Sequence, residues 1–101
     1  SGAVPDAPVL SADEVAAITR SSIAQIVLAG ATDRMAAFYR DTDRWLKAED
    51  HNHLRITRII RSLRLLRSDA AAEGFKAWIM ARVEATGAPV SARSRGYWLT
   101  A

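Results

Sequence analysis

The chain has 101 residues, half of them hydrophobic and a quarter charged, with a net charge of +3. That suffices for one domain with its own core, is too apolar for a disordered chain, and is too weakly basic to single out nucleic acid or a membrane as partner. The absence of cysteine excludes a disulfide framework, thiol catalysis and thiolate metal sites.

In chain order, residues 1–10 (SGAVPDAPVL) hold two prolines and no periodicity. They read as an extended arm, with Val9 and Leu10 docked on the core. Residues 11–101 read as a single helical domain. Ser11 and Glu14 have the spacing of a capping box, which starts a first helix over 12–19 that buries Val15 and Ile18. Thr19, Ser21 and Ser22 offer a break and a new cap, so a second helix is predicted over 22–39. Its first half, Ile23 to Ala31, is apolar nearly all round. Gly30 in mid-helix costs about 1 kcal/mol relative to Ala. Two explanations stand: close contact with a neighbouring helix, or an apolar surface used for association. Ile23, Ile26, Val27 and Gly30 are therefore candidate protein-interface residues.

The polar connection 40–49 contains Trp45 and Leu46, a pair expected to plug the edge of the core. Asp50 is a good N-cap for a third helix over 50–66. Here Arg55, Arg58, Arg61, Arg64 and Arg67 recur at every third position. A step of three slips the stripe back by about 60° each time, so it spirals rather than gathering on one face. Ile56, Ile59, Ile60, Leu63 and Leu66 share an arc of about 120°, while Leu54 and Leu65 lie nearly opposite. Apolar residues on both sides predict a central helix buried on both sides. Ser68 and Asp69 cap a fourth helix over 69–85, with Phe75, Trp78, Ile79 and Val83 inward, and Gly87 and Pro89 end it. Ser91 caps a short fifth helix carrying Tyr97, Trp98 and Leu99. The seven aromatics, spread one or two per element, read as core rather than as a stacking platform. No segment alternates with period two. The fold class is all-α: an irregular, orthogonal bundle of four main helices plus a short C-terminal one, with the third helix central.

The arginine stripe has three readings. Arg55, Arg58, Arg61 and Arg64 could pair with Asp41, Asp43, Glu49 and Asp50 just upstream, or with Glu73, Asp33 and Glu84, lacing the bundle. They could bind an acidic protein or peptide. They could bind nucleic acid, although a phosphate surface wants its basic residues on one face. His51 and His53 diverge by about 200° on a helix and cannot share a metal. They read as first-turn residues bonded to Asp50, Glu49 or backbone, with a pH-sensitive contact as the alternative. No nucleophile elbow, phosphate loop or metal-spaced set is present. The expectation is a non-enzymatic protein-interaction domain with no cofactor and no metal. Its partner is a protein or peptide, a second copy of the chain being one candidate through the second helix; nucleic acid is the alternative.

The run Asp50-His51-Asn52-His53-Leu54-Arg55-Ile56-Thr57-Arg58-Ile59-Ile60-Arg61-Ser62-Leu63-Arg64-Leu65-Leu66 resembles the signature of bacterial proteins related to the conserved region of the opioid growth factor receptor. The Pro5-Asp6-Ala7-Pro8 arm, Asp33-Arg34-Met35 with Phe38-Tyr39, and Val90-Ser91 through Tyr97-Trp98 are similar to other segments of that family. The resemblance implies no activity for bacterial members and no ligand to carry over. The chain departs from the family pattern at Arg40 and Arg67, where glycine is usual, and matches it poorly over 23–32. A helix-ending glycine at positive φ would make arginine costly at both sites. With no apolar run of membrane-spanning length and no signal peptide, the expectation is a cytoplasmic protein making no membrane contact. The start at Ser1-Gly2 is the pattern of a truncated or engineered chain.

Overall fold

The computed structural model describes residues 9–101; residues 1–8 of the expected arm lie outside them. Five helices follow one another: α1 (Ala12–Arg20), α2 (Ser22–Asp41), α3 (His51–Leu66), α4 (Asp69–Thr86) and α5 (Ala92–Thr100). Each begins on a polar cap whose side chain accepts a free backbone amide. The caps are Ser11, Ser21, Asp50, Ser68 and Ser91. At α1 the box is complete: Ser11 Oγ accepts from the Glu14 amide and Glu14 Oε1 accepts from the Ser11 amide. Gly87 ends α4 at φ 65°. The Ala88 amide then donates back to the Val83 carbonyl, the six-to-one bond of a Schellman turn that glycine makes without strain. Among the described residues only glycine takes positive φ. The cost expected for Arg40 and Arg67 therefore does not arise. The α2 helix runs on through Arg40 to Asp41, two residues beyond its predicted end, and Arg67 closes α3 at φ −118°.

The core lies where α3, α4 and α5 meet, closed by the last turn of α2 and by the loop after it. Tyr39, Trp45, Ile56, Ile60, Ile79 and Trp98 are wholly buried. Trp45 plugs the edge of the core as its place in a polar loop suggested, and its indole donates to the Tyr39 carbonyl at 3.0 Å. Other expectations need correction. Val9 and Leu10 are exposed, not docked on the core, and Val15 and Ile18 are only half covered. Leu54 and Leu65 are each 56% exposed, because α3 packs on α4, α5 and α1 and no described element fully covers the positions opposite its core face. Phe38 and Tyr97 also sit outside the core.

Arg82 explains how α2 is held. From α4 it reaches the open C-terminal end of that helix, donating to the carbonyls of Tyr39 (3.1 Å) and Arg40 (2.8 Å). A cation there also meets the negative pole of the helix. The N-terminal half of α2 has no comparable anchor in the core. It turns 85° from α1 and is tied down by Gln25. The Gln25 amide donates to the Ile18 and Leu66 carbonyls and its oxygen accepts from Arg67. Among the described residues no single helix is long and apolar enough to cross a membrane.

Asp50 links cap to core. Its carboxylate accepts from the backbone amide of Asn52 at 3.0 Å and from the side-chain amide at 2.8 Å, and Asn52 Oδ1 accepts from the Tyr39 hydroxyl. Burial alone would raise the Asp50 carboxyl. The two Asn52 bonds, with His51 and Lys47 close by, outweigh it and hold the group below its ordinary 3.8. Depression of the folded value means that Asp50 stabilises the fold above pH about 3.8 and that this contribution is lost as pH falls through the folded value. Asp50→Ala is expected to cost about 0.5–2 kcal/mol at neutral pH, the range for losing an N-cap. Acid unfolding curves of the two proteins should converge as pH falls below the folded value of Asp50; parallel curves would assign the acid loss elsewhere.

Candidate functional site

The chemistry-bearing residues of α3 separate into three environments. Arg64 is fully engaged. It bonds Asp69 and Glu73 of α4 and donates from Nε to the Ala101 carbonyl at 3.0 Å. Those bonds hold the Glu73 carboxyl down, helped by Lys76, which itself donates to the Leu99 carbonyl. Arg64 and Lys76 thus carry the C-terminal end of α5 to α4. Arg55, Arg58 and Arg61 are exposed, and among the described residues they have neither a carboxylate nor a hydrogen-bond partner. The expected lacing by upstream acids is therefore absent. Asp41 pairs with its neighbour Arg40, Asp43 lies 3.4 Å from Arg82, and Asp50 is spent on its cap. Glu49 and Asp50 line one cleft with Arg61, and Asp50 another with Arg55, yet no ion pair forms across either among the described residues. The spiral of the stripe is real: Arg55 and Arg58 face α2, while Arg61 turns toward Arg93 and Tyr97 of α5.

The histidines part company as their spacing requires. His51 is exposed, 3.9 Å from Asp50. His53 is buried between the loop and α5, with Nε2 2.7 Å from the Trp45 carbonyl and Nδ1 2.8 Å from Ser94 Oγ. A carbonyl only accepts, so Nε2 carries the hydrogen, and in the neutral ring Nδ1 accepts a hydrogen bond from the Ser94 hydroxyl. The ring meets Trp98 edge-on with centroids 5.3 Å apart, and the Trp98 indole donates to the His53 carbonyl at 3.0 Å. Every polar atom of this cluster is satisfied inside the protein, which makes His53 a structural clasp. A backbone bond in the first turn was legible in the sequence, here to the Trp45 carbonyl; the burial of His53 and its distant partner Ser94 were not. Among the described residues no three His, Asp or Glu side chains converge as metal ligands.

The apolar surface lies on α2. Ile23, Ile26 and Val27 are 77, 73 and 60% exposed, and their positions span an arc of about 100°. Gly30 falls inside that arc. A methyl group added there would meet only the Arg34 guanidinium, at 3.5 Å, so the expected close contact with another helix of the chain is absent. Gly30→Ala should therefore raise stability by about 0.5–1 kcal/mol by favouring the helix. A Tm a few degrees higher checks this; a lower one would reveal a close approach.

A second apolar feature, which the sequence did not announce, lies on an adjoining face of α2. Leu28, Ala31, Thr32 and Met35 face Ile59, Ser62, Leu63 and Leu66 of α3 across an open groove of about 240 Å³, edged by Arg55, Arg58 and Arg67. It exists because α2 is fixed at its two ends, by Gln25 and by Arg82, and stands off α3 between them. Ile59 and Leu66, expected in the core, line it instead and are half buried. No family model, curated protein or solved structure matches the chain.

Proposed function

We propose that the chain is a non-enzymatic helical protein-interaction domain that associates with a second copy of itself through the N-terminal half of α2. One observation carries this reading: Ile23, Ile26 and Val27 stand together on one exposed arc, where a helix of an isolated globular domain ordinarily presents polar residues. Gly30 within that arc lets another helix approach closely. The likeness of residues 50–66 to the opioid growth factor receptor conserved region belongs to the same proposal and supplies no ligand of its own. Sedimentation velocity over a rising concentration series tests it. The expected result is reversible association that Ile23→Glu with Ile26→Glu abolishes while helicity is kept. A monomer at the highest concentration would end the self-association reading.

The heads of Arg55, Arg58 and Arg61, unpaired among the described residues, support a second reading, binding of nucleic acid through phosphates. It requires affinity that falls steeply with salt and falls further in Arg55→Glu with Arg58→Glu.

A further inference from the structure

The groove between α2 and α3 is distinct from the exposed arc of α2, and its chemistry selects a different occupant. We infer that it binds an amphipathic helix of another protein whose apolar anchors are flanked by acidic residues. The floor and walls are aliphatic side chains of Leu28, Met35, Ile59, Leu63 and Leu66. The hydroxyls of Thr32 and Ser62 aside, the polar lining is basic: Arg55, Arg58 and Arg67 edge the groove, and no carboxylate does among the described residues. Among the described residues the Arg67 guanidinium bonds only the neutral Gln25 side chain, and Arg55 and Arg58 bond no partner. Three guanidinium groups beside an aliphatic trough are complementary to carboxylates set beside Leu or Ile.

Size and shape favour a helix over a small molecule. A volume of about 240 Å³ lies below the range of roughly 300–1,000 Å³ usual for enclosed ligand pockets. It admits a few anchor side chains, not a whole ligand. The arginines from Arg55 to Arg67 span about 18 Å of helix axis at 1.5 Å per residue. Anchors at i, i+3, i+4 and i+7 of a docked helix cover about 10 Å of that length. Acids on the flank of such a helix would then fall beside the arginine edge.

The test uses the full chain and two fluorescein-labelled sixteen-residue peptides with Leu at i, i+3, i+4 and i+7. One carries Glu at the flanking positions and the other carries Lys there. Anisotropy titration should show micromolar binding of the Glu peptide and at least tenfold weaker binding of the Lys peptide, with the preference shrinking as salt rises. Arg55→Glu with Arg58→Glu should reverse the preference, and Leu28→Glu should weaken the Glu peptide at least tenfold. Circular dichroism of each variant confirms that the helices are intact. Ile23→Glu with Ile26→Glu should leave peptide binding unchanged, which separates this site from the self-association surface. Equal binding of the two peptides, no binding of either, or a single-stranded oligonucleotide that displaces the Glu peptide through the same arginines would overturn the inference.

Discussion

Trp98→Ala is expected to remove about 3–5 kcal/mol of stability, the range for deleting a buried tryptophan. A domain of this size has about 5–15 kcal/mol in all, so the variant should be largely unfolded at modest denaturant concentrations. Trp98 is wholly buried. Its ring packs edge-on against both Trp45 and His53, and its indole is bonded to the His53 carbonyl. Urea unfolding measures the loss directly. A change under 1 kcal/mol would mean that α5 is an appendage rather than a wall of the core.

The second large effect is expected at His53. His53→Leu keeps most of the volume and removes both ring nitrogens, leaving the buried Trp45 carbonyl without a donor and the Ser94 hydroxyl without its acceptor. An unsatisfied buried group costs about 1–3 kcal/mol, and loss of the edge-on contact with Trp98 adds about 0.5–1.5 kcal/mol. For the carbonyl and the ring contact together the expected loss is about 1.5–4.5 kcal/mol. His53→Gln restores an amide donor near the position of Nε2 and should recover part of that loss. If both variants unfold at the same denaturant concentration, the bond to Trp45 contributes nothing and the ring acts by packing alone.

These two residues show what could be read from the chain and what could not. The caps Ser11, Ser21, Asp50, Ser68 and Ser91 and the stop at Gly87 are local signals. They set the helices to within a residue or two, because capping depends on neighbours three positions away. The all-α architecture follows from them. The periodicity of α3 identified Ile56, Ile60 and Leu63 as core. It also promised burial for Leu54 and Leu65, which the structure leaves exposed, since a pattern reports that a face is apolar and not that something covers it. The arginine stripe was legible only in part: Arg64 pairs with Glu73, one of the acids the sequence offered, but the pairing expected with the upstream acids is absent among the described residues. Acids near in sequence need not pair, and the acids that hold Arg64 come from α4. The groove between α2 and α3 was the least legible feature. It depends on the angle at which α2 leaves α1 and on two side chains, Gln25 and Arg82, that fix its ends. The candidate surface residues Ile23, Ile26 and Val27 were legible because their excess of apolarity had no evident partner in the chain.

The central claim is that the domain divides into a tight body of α3, α4 and α5 and a less supported first half of α2, which we propose as a contact surface. Native-state hydrogen exchange at low and high protein concentration tests it most directly. At low concentration, amides of Ile23 to Ala31 should exchange through local openings well below the global unfolding free energy, while those of Ile56 to Leu63 and Phe75 to Val83 should exchange only near it. At high concentration, protection should rise over Ile23 to Ala31 and stay unchanged in α4. Protection of Ile23 to Ala31 that already equals that of α3 in the dilute protein, and does not respond to concentration, would contradict the account.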